Sequence, residues 1–64
     1  MKNNRYEVIV GNVGMVHDGK NRRKAEAVYA EYRRTKNPGR ASGETVTLMV
    51  NGEPEREGLV GTKK

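Results

Sequence analysis

Two stretches of the chain alternate between apolar and polar residues with the period of a half-buried β-strand. Tyr6–Val10 is the first stretch, and Thr45–Val50, which is rich in β-branched residues, is the second. Each predicts a strand with three apolar side chains on one face. Those positions are Tyr6, Val8 and Val10 in the first strand and Val46, Leu48 and Val50 in the second.

A turn and a short return strand follow the first predicted strand. Gly11-Asn12-Val13-Gly14 is typical of a hairpin turn, because Gly and Asn tolerate positive φ. Met15–His17 then pairs back as a second strand, and Asp18-Gly19 closes it as a turn. This segment predicts a β-hairpin.

Asn51-Gly52 predicts a second hairpin after the third strand. A two-residue loop would place Glu53, Glu55 and Glu57 on the buried face, where three carboxylates cost too much free energy. We therefore predict a three-residue loop, Asn51-Gly52-Glu53, with a bulge that turns the later glutamates to water. Pro54 lacks an N–H and assigns this strand to a sheet edge.

The segment from Asn21 to Lys36 predicts a helix with Asn21 as its N-cap. It ends at Asn37-Pro38-Gly39, because Pro disfavours helical geometry in the residue before it. An apolar stripe with the spacing i, i+3, i+4, i+7 packs the helix on the sheet. The stripe consists of Ala25, Val28, Tyr29 and Tyr32.

The predicted order is strand, strand, helix, strand, strand, which we interpret as an α+β fold of the type ββαββ. One helix packs on one face of a small antiparallel sheet. Residues 1–64 form a single domain with an ordered core of about residues 6–60 and flexible tails at 1–5 and 61–64. The second sheet face, with Ile9 and Met49, leaves room for a homodimer.

Composition narrows the classes of protein to which a chain of 64 residues can belong. Hydrophobic residues make up 33% of it and the mean hydropathy is −0.97, so no segment is expected to span a membrane. The absence of Cys excludes disulfides and thiolate metal sites, and we expect a cytoplasmic protein. So short a chain has little room for an enclosed active site.

Chemistry-bearing residues are few, and we predict no enzymatic activity, no cofactor and no metal. His17 is the single His, and its neighbour Asp18 points to the opposite face of a strand. A hydrolytic triad would need Ser42, which nothing orients. Glu53, Glu55 and Glu57 could bind a divalent cation weakly, but they serve better as a charged edge against aggregation.

Most of the segment from residue 6 to residue 53 contains a characteristic set of turn glycines and apolar residues at fixed spacings. Its members are Tyr6–Gly14, Asp18-Gly19, Ala25, Tyr29, Tyr32, Gly39-Arg40-Ala41, Gly43-Glu44, Val46-Thr47-Leu48 and Gly52-Glu53. In these residues the chain resembles a group of small proteins carried by phages and mobile elements. The resemblance implies binding to host or element machinery, including defence systems, and carries over no site residue. The chain departs from this group at Arg22-Arg23-Lys24, where similar chains tend to have acidic residues.

Basic residues are concentrated in the first forty positions. Ten Lys and Arg against four acids give residues 1–40 a charge of +6, whereas three against four give residues 41–64 a charge of −1. Arg22, Arg23 and Lys24 oppose the helix dipole, which favours acids there. They indicate either an anion site or a solvated helix end in which Arg22 pairs with Glu26.

The outer side of the helix extends this basic region. Arg23 and Arg34 project opposite the apolar stripe, with Ala27 and Ala30 between them. We therefore predict a non-enzymatic interaction protein that binds an acidic protein surface or a nucleoprotein. The alternative is nonspecific nucleic-acid binding through phosphates, without stacking on exposed rings. The predicted binding residues are Arg22, Arg23, Lys24, Arg33, Arg34 and Arg40.

Overall fold

The computed structural model describes residues 4–61 and confirms the ββαββ order. Its elements are β1 (Tyr6–Val10), β2 (Gly14–Gly19), α1 (Arg22–Arg34), a 3-10 turn (Gly39–Ala41), β3 (Thr45–Val50) and β4 (Glu53–Leu59). The four strands form one antiparallel sheet in the order β2-β1-β3-β4, with α1 on one face. The two strands with the clearest sequence alternation are therefore the two central ones.

The core lies between α1 and the central strands. Register brings Val8 opposite Leu48 and Val10 opposite Val46, so the apolar faces of β1 and β3 form one surface. Ala25, which is fully buried, allows the helix to approach that surface closely. The buried core consists of Tyr6, Val8, Val10, Ala25, Tyr29, Ala41, Val46, Leu48 and Val60. The predicted apolar stripe is thus confirmed, with Val28 and Tyr32 at its margin.

The first hairpin is longer than the sequence predicts. β2 begins at Gly14 and continues to Gly19, so Asp18-Gly19 pairs with β1 and does not form the predicted turn. The reason is that β1 offers hydrogen-bonding partners along its whole length, which outweighs the turn preference of Asp-Gly. A β-bulge at Val16 separates the pairs Val8–His17 and Ile9–Met15.

The predicted three-residue loop of the second hairpin is wrong. Val50 pairs directly with Glu53, and Asn51 and Gly52 have φ values of 52° and 83°. Positive φ at both central residues defines a two-residue turn, which Asn-Gly favours. A bulge does occur, but it lies at Glu55, between the Met49–Pro54 and Leu48–Arg56 pairs.

That bulge resolves the problem of the buried carboxylates in another way. It places Arg56 and Gly58 opposite Leu48 and Val46, on the face that the helix covers. Glu57 then lies opposite Thr47 on the other face of the sheet. All three glutamates of β4 remain exposed.

The helix ends earlier than predicted, with Arg34 as its last residue and Thr35 in an extended conformation. The predicted tails fall partly outside the structure, because residues 1–3 and 62–64 are not among the described residues. The described tail residues make hydrogen bonds to the fold. Asn51 donates its backbone N–H to the Arg5 carbonyl (2.8 Å), and Gly61 donates to the Tyr32 carbonyl (2.9 Å).

Candidate interaction surface

The helix begins as the sequence predicts, with Asn21 as its N-cap. The Asn21 side-chain oxygen accepts the backbone N–H of Lys24 at 3.1 Å. The first turn contains no acidic residue. One of the free N–H groups that a bound anion would need is therefore already satisfied within the chain.

Arg22 is engaged within the molecule. Its Nε lies 3.0 Å from a Glu26 oxygen, and its Nη2 lies 2.9 Å from Glu55 in the bulge of β4. The guanidinium carbon also lies 5.5 Å from the ring centroid of Tyr6. Contact with Glu55, then with Tyr6 and Glu26, raises the pKa of Arg22 above its usual range. The i, i+4 pair considered as the alternative is present, and Arg22 does not stand free beside its neighbours.

The side chain of Arg33 also makes a contact within the molecule. Its Nη1 donates a hydrogen bond to the carbonyl of Leu59 at 2.8 Å. Gly58 leaves the space for this side chain, because a Cβ at that position would meet the Arg33 guanidinium. Arg22, in the first turn of α1, and Arg33, in its last turn, thus connect one side of the helix to the edge strand β4.

The other four predicted residues are exposed. Within residues 4–61, no ion pair forms to Arg23, Lys24, Arg34 or Arg40. At 100° per residue, Arg23 and Arg34 lie about 160–180° around the helix from the buried Ala25. Ala27 is exposed and Ala30 is half-buried between them. We define Arg23, Ala27, Ala30 and Arg34 as the outer basic face.

Arg40 lies in the 3-10 turn between α1 and β3. Its carbonyl accepts a hydrogen bond from the Asn12 side chain at 2.9 Å, which ties the 3-10 turn to the β1–β2 turn. Lys20 and Lys36, one near each end of the helix, are exposed as well. These two lysines are not among the predicted binding residues, although their position next to the predicted limits of the helix indicates that they are exposed.

The opposite face of the sheet is uncovered by the helix. Alternation and register place there four apolar residues, Ile9, Met15, Met49 and Leu59, and three acids, Glu7, Asp18 and Glu57. Arg5 pairs with Asp18 at 2.8 Å and with Glu7 at 3.6 Å. We define these eight residues as the open sheet face. Met15 is 52% exposed and Leu59 is 50% exposed.

The residues considered for catalysis are not brought together. His17 lies opposite Val8 on the helix side of the sheet, whereas Asp18 lies opposite Glu7 on the open side. Nε2 of His17 is buried and has no hydrogen-bond partner in the part of the chain that the structure describes. In residues 4–61 no three His, Cys, Asp or Glu side chains are grouped as a metal site would require. The absence of catalysis remains a prediction.

The surface also contains a groove beside the C-terminal half of the helix. Its volume is about 300 Å³, and its lining includes Glu31, Tyr32, Thr35, Asn37 and Pro38. Among the described residues, no helix has the length and apolar character needed to cross a bilayer. Comparison of the chain with protein-family models, with curated proteins and with solved structures found no match. The resemblance to phage and mobile-element proteins therefore remains a prediction.

Proposed function

We propose that this chain is a non-enzymatic interaction protein that binds an acidic protein surface. The outer basic face makes the contact, and Lys24 in the first turn of the helix and Arg40 in the 3-10 turn after it add two further cations. The observation that supports this proposal is that the predicted binding residues fall into two groups, which differ in their contacts within the chain. The side chains of Arg22 and Arg33 bind residues of β4, whereas no ion pair forms to the other four within residues 4–61.

The energetics of the helix strengthen the argument for Arg23 and Lys24. A cation in the first helical turn opposes the macrodipole by roughly 0.3–1 kcal/mol. Arg22 compensates for this through Glu26 and Glu55, but no acidic side chain among residues 4–61 forms an ion pair with Arg23 or Lys24. Folding stability therefore gives no reason for cations at these two positions, and an acidic partner does.

A protein partner fits the outer basic face better than a nucleic acid does. Ala27 and Ala30 form a smooth platform that another protein surface can approach closely. Single-stranded nucleic acids are bound by stacking on exposed rings. Tyr6 and Tyr29 are buried and Tyr32 is half-buried, so none offers a free platform. Duplex binding through phosphates is the alternative function, and the exposed cations support it.

The experiment compares the wild-type chain with the double variant Arg23→Glu/Arg34→Glu. The control is Lys63→Glu/Lys64→Glu, which changes the net charge by the same amount, from +5 to +1, outside the helix. Immobilised proteins capture partners from a nuclease-treated bacterial lysate. We expect a protein that the wild type and the control retain and the helix variant loses by at least tenfold. Equal capture by all three would refute the role of the outer basic face.

A second measurement distinguishes nucleic-acid binding. Affinity for a random DNA duplex is followed between 50 and 200 mM salt. Phosphate contacts release counterions, so several contacts would lower affinity steeply over this range. We expect weak binding without such a slope. A steep slope that disappears in Arg23→Glu/Arg34→Glu would replace the proposed function by the alternative.

A further inference from the structure

The open sheet face is an apolar surface that no other element formed by residues 4–61 covers. Ile9 and Met49 are half-buried at its centre, and Met15 and Leu59 are about half exposed toward its sides. Four strands at about 4.8 Å spacing and six residues at about 3.3 Å rise give a face about 19 Å by 20 Å. This is the same size as the face that α1 covers on the other side.

The charge of this face differs in sign from that of the whole chain. Glu7, Asp18 and Glu57 against Arg5 give it a net charge of −2, whereas the chain carries +5. Two open sheet faces brought together would repel each other. A basic occupant with a flat contact surface is complementary to it, and the outer basic face is such a surface.

The distance between two acids of the open sheet face also matches the distance between the two arginines of the outer basic face. Asp18 and Glu57 lie on the two edge strands, three strand spacings apart and offset by two residues, which is about 16 Å across the face. Arg23 and Arg34 are eleven residues apart on one side of the helix, which is also about 16 Å. Between the arginines lie Ala27 and Ala30, and between the acids lies the apolar centre.

We infer that the open sheet face of one copy is the docking site for the outer basic face of a second copy. One arginine of the second copy contacts Glu57 and the other contacts Asp18, which keeps its 2.8 Å ion pair with Arg5 of its own chain. The alanines lie against Ile9 and Met49. This inference rests on the proposed function, because the same helix surface acts in both. It identifies one acidic protein partner, the chain itself.

The geometry sets the type and strength of this association. The two contacting surfaces are different, so the contact is head-to-tail and each bound copy leaves another site open. A single helix of 13 residues, about 20 Å long, covers less than the roughly 800 Å² per partner of a standard interface. The association is therefore weak, depends on protein concentration and weakens with salt.

Sedimentation equilibrium between about 10 µM and 1 mM tests the inference with two blocked variants. Arg23→Glu/Arg34→Glu blocks the helix, and Met15→Lys/Glu57→Lys blocks the sheet. All four positions are exposed, and circular dichroism verifies folding. The single variant Glu57→Lys is the fallback if the double sheet variant does not fold. We expect wild type at low salt to exceed the monomer mass of 7.2 kDa, and each blocked variant to remain monomeric.

Mixing the two blocked variants gives the decisive result. Each supplies the surface that the other lacks, so the average mass of an equimolar mixture should rise with concentration toward twice the monomer mass and not beyond it. A wild type that stays monomeric at 1 mM and low salt would overturn the inference, as would a mixture that does not associate. A monomeric wild type that captures an acidic partner through Arg23 and Arg34 leaves the proposed function intact. An acidic partner retained by the helix variant refutes the proposed function instead.

Discussion

The two faces of the sheet arise from one alternating sequence and have different environments. On the helix side, Val8 and Leu48 have no exposed surface. On the open side, their immediate neighbours Ile9 and Met49 are only half-buried. The chain has a single helix in its described part, and that helix covers one face. Apolar periodicity therefore identifies strands, but the covering layer decides which of their side chains contribute to stability.

Substitutions of two adjacent residues on opposite faces should give the largest difference in the free energy of unfolding. Leu48→Ala should lower the free energy of unfolding by about 2–5 kcal/mol, because it removes a fully buried side chain and leaves a cavity. The matched control Met49→Ala should cost less than about 1 kcal/mol. Urea denaturation measures both. Similar losses for the two variants would show that the open face is covered in solution.

The close approach of the helix predicts a smaller difference. Ala25 is fully buried against the sheet, whereas Ala27 is exposed. Ala25→Leu should destabilise the fold by about 1–3 kcal/mol through overpacking. Ala27→Leu should be nearly neutral, because Leu and Ala have similar helix propensities. Thermal unfolding followed by circular dichroism compares them, and a neutral Ala25→Leu would contradict the observed packing.

The smallest effect concerns the two ends of the outer basic face. Arg23→Glu should stabilise the protein by roughly 0.3–1 kcal/mol, because an acid in the first turn interacts favourably with the helix dipole. Arg34→Glu, the same substitution in the last turn, should destabilise it by a similar amount. The difference should shrink in 1 M salt. Urea midpoints at low and high salt provide the measurement, and effects of equal sign would refute the electrostatic argument.

Sequence alone predicts the central part of this fold well. β1, β3 and the buried stripe of α1 follow directly from local periodicity, because each buries one regular face. The limits of β2 and the loop between β3 and β4 depend on partners in the sheet. The dipeptide Asn-Gly, taken alone, predicts a hairpin loop of two residues. The three glutamates favour a longer loop when the sequence is taken alone, because nothing local shows that a bulge at Glu55 can shift the register within the strand.

The candidate site shows the same division between local and distant information. Exposed cations on the outside of the helix follow from its periodicity, which places Arg23 and Arg34 correctly. The engagement of Arg22 with Glu55 joins residues 33 positions apart, and that of Arg33 with Leu59 joins residues 26 apart. Such contacts require the register of β4 on β3. Sequence can therefore list the basic residues but cannot separate those that hold the helix in place.

The bulges at Val16 and Glu55 have a consequence for the behaviour of the protein at high concentration. Each lies in one of the two outermost strands, and Pro54 beside the second removes a further backbone donor. An interrupted backbone is a poor template for another strand, so sideways extension into fibrillar cross-β aggregates is disfavoured. A concentrated solution of this protein is therefore protected at both edges of the sheet against growth of the sheet from molecule to molecule.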